Sequence, residues 1–224
     1  MIEPRRPPPI FIADAPGLDF LNSVATPVDV RVEWLASGDD LLAWLRQANM
    51  VPEHVVETMR RTAVPGELDG VAAQARALRE WFRDFVLKHK GRSLGVEALE
   101  ELAPLNQVLA REEEYGQVGL RHEDPHDHLG RDEQGAEPHS HLAWHALRRW
   151  RSPESLLLPV ARAMAELICE ENFSHVKACE GPSCTLLFVD KSYGNTRRRW
   201  CSMAVCGNRA KQLAHRARKK LAKQ

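Results

Sequence analysis

The sequence predicts an α+β protein: a mostly helical N-terminal body with one small β-hairpin, followed by a short cysteine-rich module. Three observations lead there. Apolar residues recur at three- and four-residue spacing through much of the first 171 residues, the period of helices that bury one face. Two β-prone runs flank a polar, Gly- and Pro-bearing stretch between Tyr115 and Trp150, the pattern of a hairpin. Near the C-terminus two close cysteine pairs stand a hairpin's length apart.

A chain of 224 residues suits one full-sized domain with a small appendage. A hydrophobic content of 43% and a charged content of 28% exclude disordered and collagen-like classes. No apolar run approaches the ~20 residues of a membrane-spanning helix. Met1-Ile2-Glu3-Pro4-Arg5-Arg6 lacks the apolar centre of a signal peptide. A soluble, cytoplasmic protein with no membrane partner is expected, divided into a body at 1–171 and a module at 172–224.

Residues 1–9 are rich in Pro and Arg and read as extended, and Ile10-Phe11-Ile12 reads as the start of a short buried strand. Asp39-Asp40 give an acidic start to the amphipathic helix of Leu41-Leu42-Ala43-Trp44-Leu45, and Pro52-Glu53 opens another. Leu68, Val71, Ala72, Ala75, Leu78, Phe82 and Phe85 mark one face of a helix of about six turns ending near Gly91. Leu99, Leu102, Leu105 and Leu109 mark the next, interrupted by Pro104. Val118–His122 and Leu142–Leu147 read as the hairpin strands. Ser152-Pro153-Glu154 reads as a helix start with a capping hydroxyl, and Leu156, Val160, Ala163 and Leu167 form its buried stripe; Pro159 kinks that helix or delays its start. Beyond it the order is strand (Phe173–Lys177), cysteine pair, strand, basic turn, cysteine pair, and a helix from Gly207 to Lys223.

The formal net charge of zero hides a segregation. From residue 172 onward twelve Lys and Arg face only Glu180 and Asp190, which leaves 19 basic and 29 acidic residues before that point. An acidic body thus carries a basic tail, a reason to look for a polyanionic partner. The alternative is that the two parts attract each other.

The strongest chemical signal is Cys179-x4-Cys184 followed, sixteen residues on, by Cys201-x4-Cys206. Two short pairs joined by a hairpin-length insert converge on one tetrahedral ion. Soft thiolates without oxygen ligands favour zinc, with an iron–sulfur cluster as rival. Two disulfides or four buried thiols are the readings without metal, and a reducing compartment disfavours the first. Cys169, between Ile168 and Glu170 on the preceding helix, reads as a core residue and not as a fifth ligand.

The run Cys179-x4-Cys184-x3-Phe188-x-Asp190-x-Ser192, then Arg198-Arg199-Trp200-Cys201-Ser202-Met203-x2-Cys206-Gly207-Asn208-Arg209-x-Lys211, closely resembles the CGNR zinc-finger family. The body resembles that family's usual N-terminal partner, the ABATE domain, at Leu18-Asp19-Phe20-Leu21-Asn22-Ser23 and Asp40-Leu41-Leu42-Ala43-Trp44-Leu45; Ser23 stands where that pattern has threonine. The resemblance implies a transcription regulator of bacterial type, four cysteine ligands on zinc, and a tail that binds DNA. The expected module is a treble-clef-like four-cysteine zinc finger.

Arg197, Arg198 and Arg199 beside Trp200 suit phosphate contacts, with Trp200 either stacking on a base or packing on the metal core. Arg209, Lys211, Arg216 and Lys219 extend the basic surface along the last helix, and they wrap around more than one of its faces. Asp19 and Asn22, three apart on a helix, read as candidate effector ligands or as structural caps. Six histidines at 122, 126, 128, 139, 141 and 145 form either a polar loop or a second metal site. No phosphate loop occurs, and no enzymatic activity is expected. The expectation is a zinc-containing DNA-binding regulator whose body senses a small-molecule effector or mediates homodimerisation. The alternatives are an adaptor whose basic module docks on an acidic protein, and an enzyme with a pocket near Asp19 and Asn22.

Overall fold

The structure, a computed structural model, describes residues 6–27, 29–120, 142–192 and 198–221. It opens with α1 (Pro16–Leu21), then a two-residue ribbon of β1 (Val24–Ala25) and β2 (Val32–Glu33), antiparallel with Val24 opposite Glu33. Three helices follow: α2 (Gly38–Gln47), α3 (Glu53–Thr62) and α4 (Glu67–His89). The Ser37 hydroxyl caps α2 by accepting from the Asp40 amide at 3.2 Å. The long helix α4 buries Val71, Ala72, Ala75, Leu78, Phe82 and Phe85, the stripe its spacing predicts.

Pro104 divides the next predicted helix in two. A 3-10 segment covers Val96–Leu102, and α5 (Ala103–Leu109) takes the proline in its first turn, where no amide donor is needed. The predicted hairpin forms from β3 (Glu114–Leu120) and β4 (Leu142–Arg148), with Glu114 opposite Arg148 and Leu120 opposite Leu142. A 3-10 turn at Pro153–Leu156 leads into α6 (Leu157–Glu170), so Pro159 delays the helix and does not kink it. The Ser152 hydroxyl does not cap that turn; it bonds the Glu154 carboxylate, whose pKa it lowers.

Two further expectations are corrected. Ile10-Phe11-Ile12 forms no strand. Prolines 7–9 supply no amide donors, and one carboxylate oxygen of Asp19 takes the amides of Ile12 and Ala13, each at 3.0 Å. Cys169 is exposed and not in the core. It lies two residues past buried Leu167, about 200° around the helix.

The C-terminal module begins with a 3-10 turn at Phe173–His175 and the hairpin of β5 (Val176–Ala178) and β6 (Leu187–Val189). A π-turn at Met203–Gly207 runs into α7 (Asn208–Leu221). Hairpin, cysteine turn and helix follow in the treble-clef-like order that the sequence predicts. Phe173, Val176, Leu186, Leu187, Phe188 and Val189 are buried in the same core as Leu18, Leu21, Phe82 and Phe85 of the body. Phe173 meets Phe85 edge-on at 6.0 Å, and its carbonyl accepts from the Gly91 amide. Module and body therefore bury one continuous apolar core. Among the described residues seven α-helices and three two-stranded antiparallel ribbons make up the fold.

Candidate metal centre and nucleic-acid interface

Backbone geometry brings the four tail cysteines together. Cys179 follows β5, and its amide bonds the Leu186 carbonyl at 2.9 Å, so the loop from 180 to 185 closes as a tight knuckle carrying Cys184. The Glu180 amide bonds the Arg199 carbonyl at 2.9 Å, which draws the second pair over the first. Cys206 sits in the π-turn, whose start the Ser202 hydroxyl caps by accepting from the Val205 amide at 3.0 Å.

The four sulfur atoms all lie within 4.8 Å of one another, and none is in a disulfide. That spread fits sulfurs converging on one tetrahedral ion, with Zn–S distances of about 2.3 Å. The Cys179 sulfur also accepts from the amides of Gly181 at 3.3 Å and Cys201 at 3.2 Å, donors that favour a thiolate. Only glycine fits at position 181: a Cβ there would come within 2.8 Å of the Cys206 sulfur.

The thiols' acidity makes the same point. Hydrogen bonding from Cys201 holds Cys184 down to about 5. The hydrogen bond with Cys184, then burial, then the charge on Cys184 push Cys201 far up. Burial, with Cys184 close by, raises Cys206 to about 12. A cation among the sulfurs would favour their thiolate forms. Cys179, Cys184, Cys201 and Cys206 fit zinc, which would hold the knuckle, the π-turn and the start of α7 together.

The predicted phosphate contacts separate into distinct groups. Arg197 lies outside the described residues, as do His122, His126, His128, His139 and His141 of the proposed second metal site. His145 is described, and its ring nitrogen bonds the Leu120 carbonyl at 3.0 Å.

Arg198 turns inward and does not present a free guanidinium. It lies over the Phe188 ring at 4.2 Å, donates to the carbonyls of Ile12 (2.8 Å), Trp200 (3.1 Å) and Cys201, and pairs with Asp14. Every acceptor comes from backbone around the metal centre or from the body, so Arg198 is a structural clamp. Arg199 points the other way, exposed, with Glu180 at 2.6 Å and the Trp200 ring at 5.2 Å. Trp200 is half-buried against the core, the packing alternative of the two read from sequence.

Arg209 pairs with Asp29 of the body at 2.9 Å, so one basic residue at the head of α7 is held by the acidic body. Lys211, Arg216 and Lys219 project from α7 as exposed side chains.

Asp19 and Asn22 are occupied by backbone. Asn22 is 1% exposed; it donates to the Leu187 carbonyl at 2.8 Å and accepts from the Leu187 amide at 3.0 Å. Ser23, next in that motif, accepts from Arg79 at 3.0 Å, and Arg79 is itself forked onto Glu33 at 2.6 and 2.8 Å. Both amide atoms of Asn22 are thus taken by backbone, as is one carboxylate oxygen of Asp19. Sequence reasoning missed Asp14, Asp29, Thr185 and Arg79. Thr185 accepts from the Thr26 amide at 2.8 Å across the junction, a contact that no local pattern signals.

Among the described residues no helix is long and apolar enough to cross a membrane. No curated protein matches the chain. Residues 14–171 match the ABATE family model, described as "Putative stress-induced transcription regulator". Residues 175–219 match the CGNR zinc finger. Neither is an enzyme family. With most of its length matched and four cysteines placed for zinc, the chain belongs to the ABATE family and carries a C-terminal CGNR zinc finger.

Proposed function

We propose that this protein is a zinc-dependent regulator that binds duplex DNA through the phosphate backbone, with α7 as its main contact. The observation that carries this is the helix itself: from Lys211 through Arg216 every side chain is exposed, Arg218 and Lys219 follow, and no acidic residue occurs from Lys191 to Gln224. Its head is fixed by Cys206 in the metal centre, so the cations are displayed on a rigid support. Cations on several faces suit the phosphate backbone better than one base-reading edge. Arg199 adds to the same end of the module, where Glu180 shields it in the free protein.

The body supplies the platform and pairs two copies of the chain. No catalytic step enters this reading. Anisotropy of a labelled duplex, titrated with zinc-loaded protein at several salt concentrations, tests it. With about four phosphate contacts, log affinity falls against log salt with a slope near −4. Absence of binding at ~50 mM salt would remove DNA and leave the adaptor reading, in which the same helix docks on an acidic protein.

A further inference from the structure

The hairpin of β3 and β4 stands out from the body and leaves its apolar side bare. Its register puts Leu120 opposite Leu142, Val118 opposite Trp144 and Gly116 opposite Ala146. Side chains alternate across a strand, so these six residues share one face, apolar from Gly116 outward, with the charged Glu114–Arg148 rung at its base. Val118, Leu120, Leu142 and Trp144 are 61, 56, 74 and 72% exposed. The Trp144 indole lies flat across Gly116, where a Cβ would come within 1.7 Å of the ring. The glycine thus makes room for an apolar plate. Among the described residues the sheet has two strands only, and neither outer edge has a ladder partner. Such a ribbon has marginal stability alone in water.

Its base is nevertheless firmly held. Arg148 forks onto Glu112 at 2.6 and 2.7 Å, the Arg149 amide bonds the Glu113 carbonyl at 2.9 Å, and Glu114 pairs with Arg162 at 2.6 Å. A fixed arm with a bare apolar face is an interaction surface.

We infer that this face is the dimerisation surface, and that a second copy of the same chain covers it. This names the surface for the pairing proposed above and does not depend on DNA binding. Two observations select that occupant, and symmetry supplies its geometry. The chain between the strands, residues 121–141, holds Leu129 and Ala136 as its only aliphatic side chains, too few to cover four large ones. The same stretch carries six acids against Arg121 and Arg131, a charge that disfavours nucleic acid as the occupant. Two arms packed face to face about a two-fold axis, running antiparallel, cover each other's apolar rungs.

The area places this contact among small interfaces. Trp144 and the three aliphatic side chains supply roughly 500 Å² per copy, against about 800 Å² per partner in a standard interface. A dimer that dissociates on dilution through the micromolar range follows.

Sedimentation velocity of the zinc-loaded full chain without DNA, from about 1 to about 200 µM, tests the inference. A monomer–dimer equilibrium is expected for the native chain. Leu142→Lys and, separately, Val118→Lys should each raise the dissociation constant at least about tenfold, with circular dichroism and zinc content unchanged. Val96→Lys, at a 90% exposed position away from the arm, should leave it unaltered. A chain that stays monomeric throughout, a dimer indifferent to both hairpin variants, or open-ended larger species would each overturn it. None of these outcomes bears on the salt-dependent DNA titration, which tests the tail.

Discussion

The side-chain amide of Asn22 pairs with both backbone groups of Leu187, as one strand residue pairs with another. Asn22 ends α1 in the body, and Leu187 opens β6 in the zinc module. Both are buried, so this pair of bonds seals the junction from inside the core and satisfies groups that would otherwise be stranded there.

Asn22→Ala should therefore destabilise the protein by roughly 2–4 kcal/mol, because the Leu187 amide and carbonyl lose their partners in a dry site. Asn22→Asp should cost a comparable amount, since a carboxylate accepts where the Leu187 carbonyl needs a donor. Chemical denaturation followed by tryptophan fluorescence measures both. Wild-type stability in either variant would show that the junction relaxes around the loss.

Metal removal should reach beyond the module. Cys201 is fully buried, and Leu186 to Val189 pack among body residues. The sequence gives each part its own apolar faces and leads one to expect a body that survives loss of the finger; the continuous core predicts a joint transition instead. Cys201→Ser should abolish the one bound zinc and broaden or lower the melting of the whole chain. Elemental analysis with thermal melting by circular dichroism checks it. An unshifted helical transition in metal-free protein would show that the body stands alone.

What the sequence made legible was what repeats locally. The stripe from Val71 to Phe85 and the two cysteine pairs are set by spacing along the chain, and both were found. The apolar neighbours of Cys169 in sequence point to the core, whereas its angle from Leu167 places it on the outer face. The Asn22–Leu187 pair spans 165 positions, and no local period encodes it. Arg198 and Arg199 are adjacent and chemically identical. Only the fold shows that one points into the junction and the other out.

The carboxyl of Asp19 gives a pH signature. Burial raises it to about 6, although the amides of Ala13 and Ile12 pull the other way. A carboxyl whose folded pKa is raised binds more protons folded than unfolded between about 4 and 6. Stability from this group is complete below that window and is lost as pH rises through it. Asp19→Asn keeps an oxygen for both amides and removes the charge. The variant should gain on the wild type between pH 4 and 7, by at most about 2–3 kcal/mol. Melting temperatures at the two pH values decide it; an equal difference at both would sink the claim.

The two classes of arginine predict opposite mutant behaviour. Arg198 holds the carbonyls of Ile12, Trp200 and Cys201 and is partly buried. Arg198→Ala should strip those acceptors of their donor and uncover the Phe188 ring, costing roughly 2–4 kcal/mol. The salt slope of DNA binding by the fraction that folds should not change, because no phosphate contact is lost. Arg198→Lys should rescue little, since an ammonium does not reproduce the fork that spans several carbonyls. Lys211→Ala and Arg216→Ala remove exposed cations from α7. Each should leave the melting temperature unchanged and flatten the slope by about 0.9. Measuring melting and salt slope on all four variants separates the roles: a flattened slope for Arg198→Ala without loss of stability would return it to the phosphate contacts that its sequence position implied.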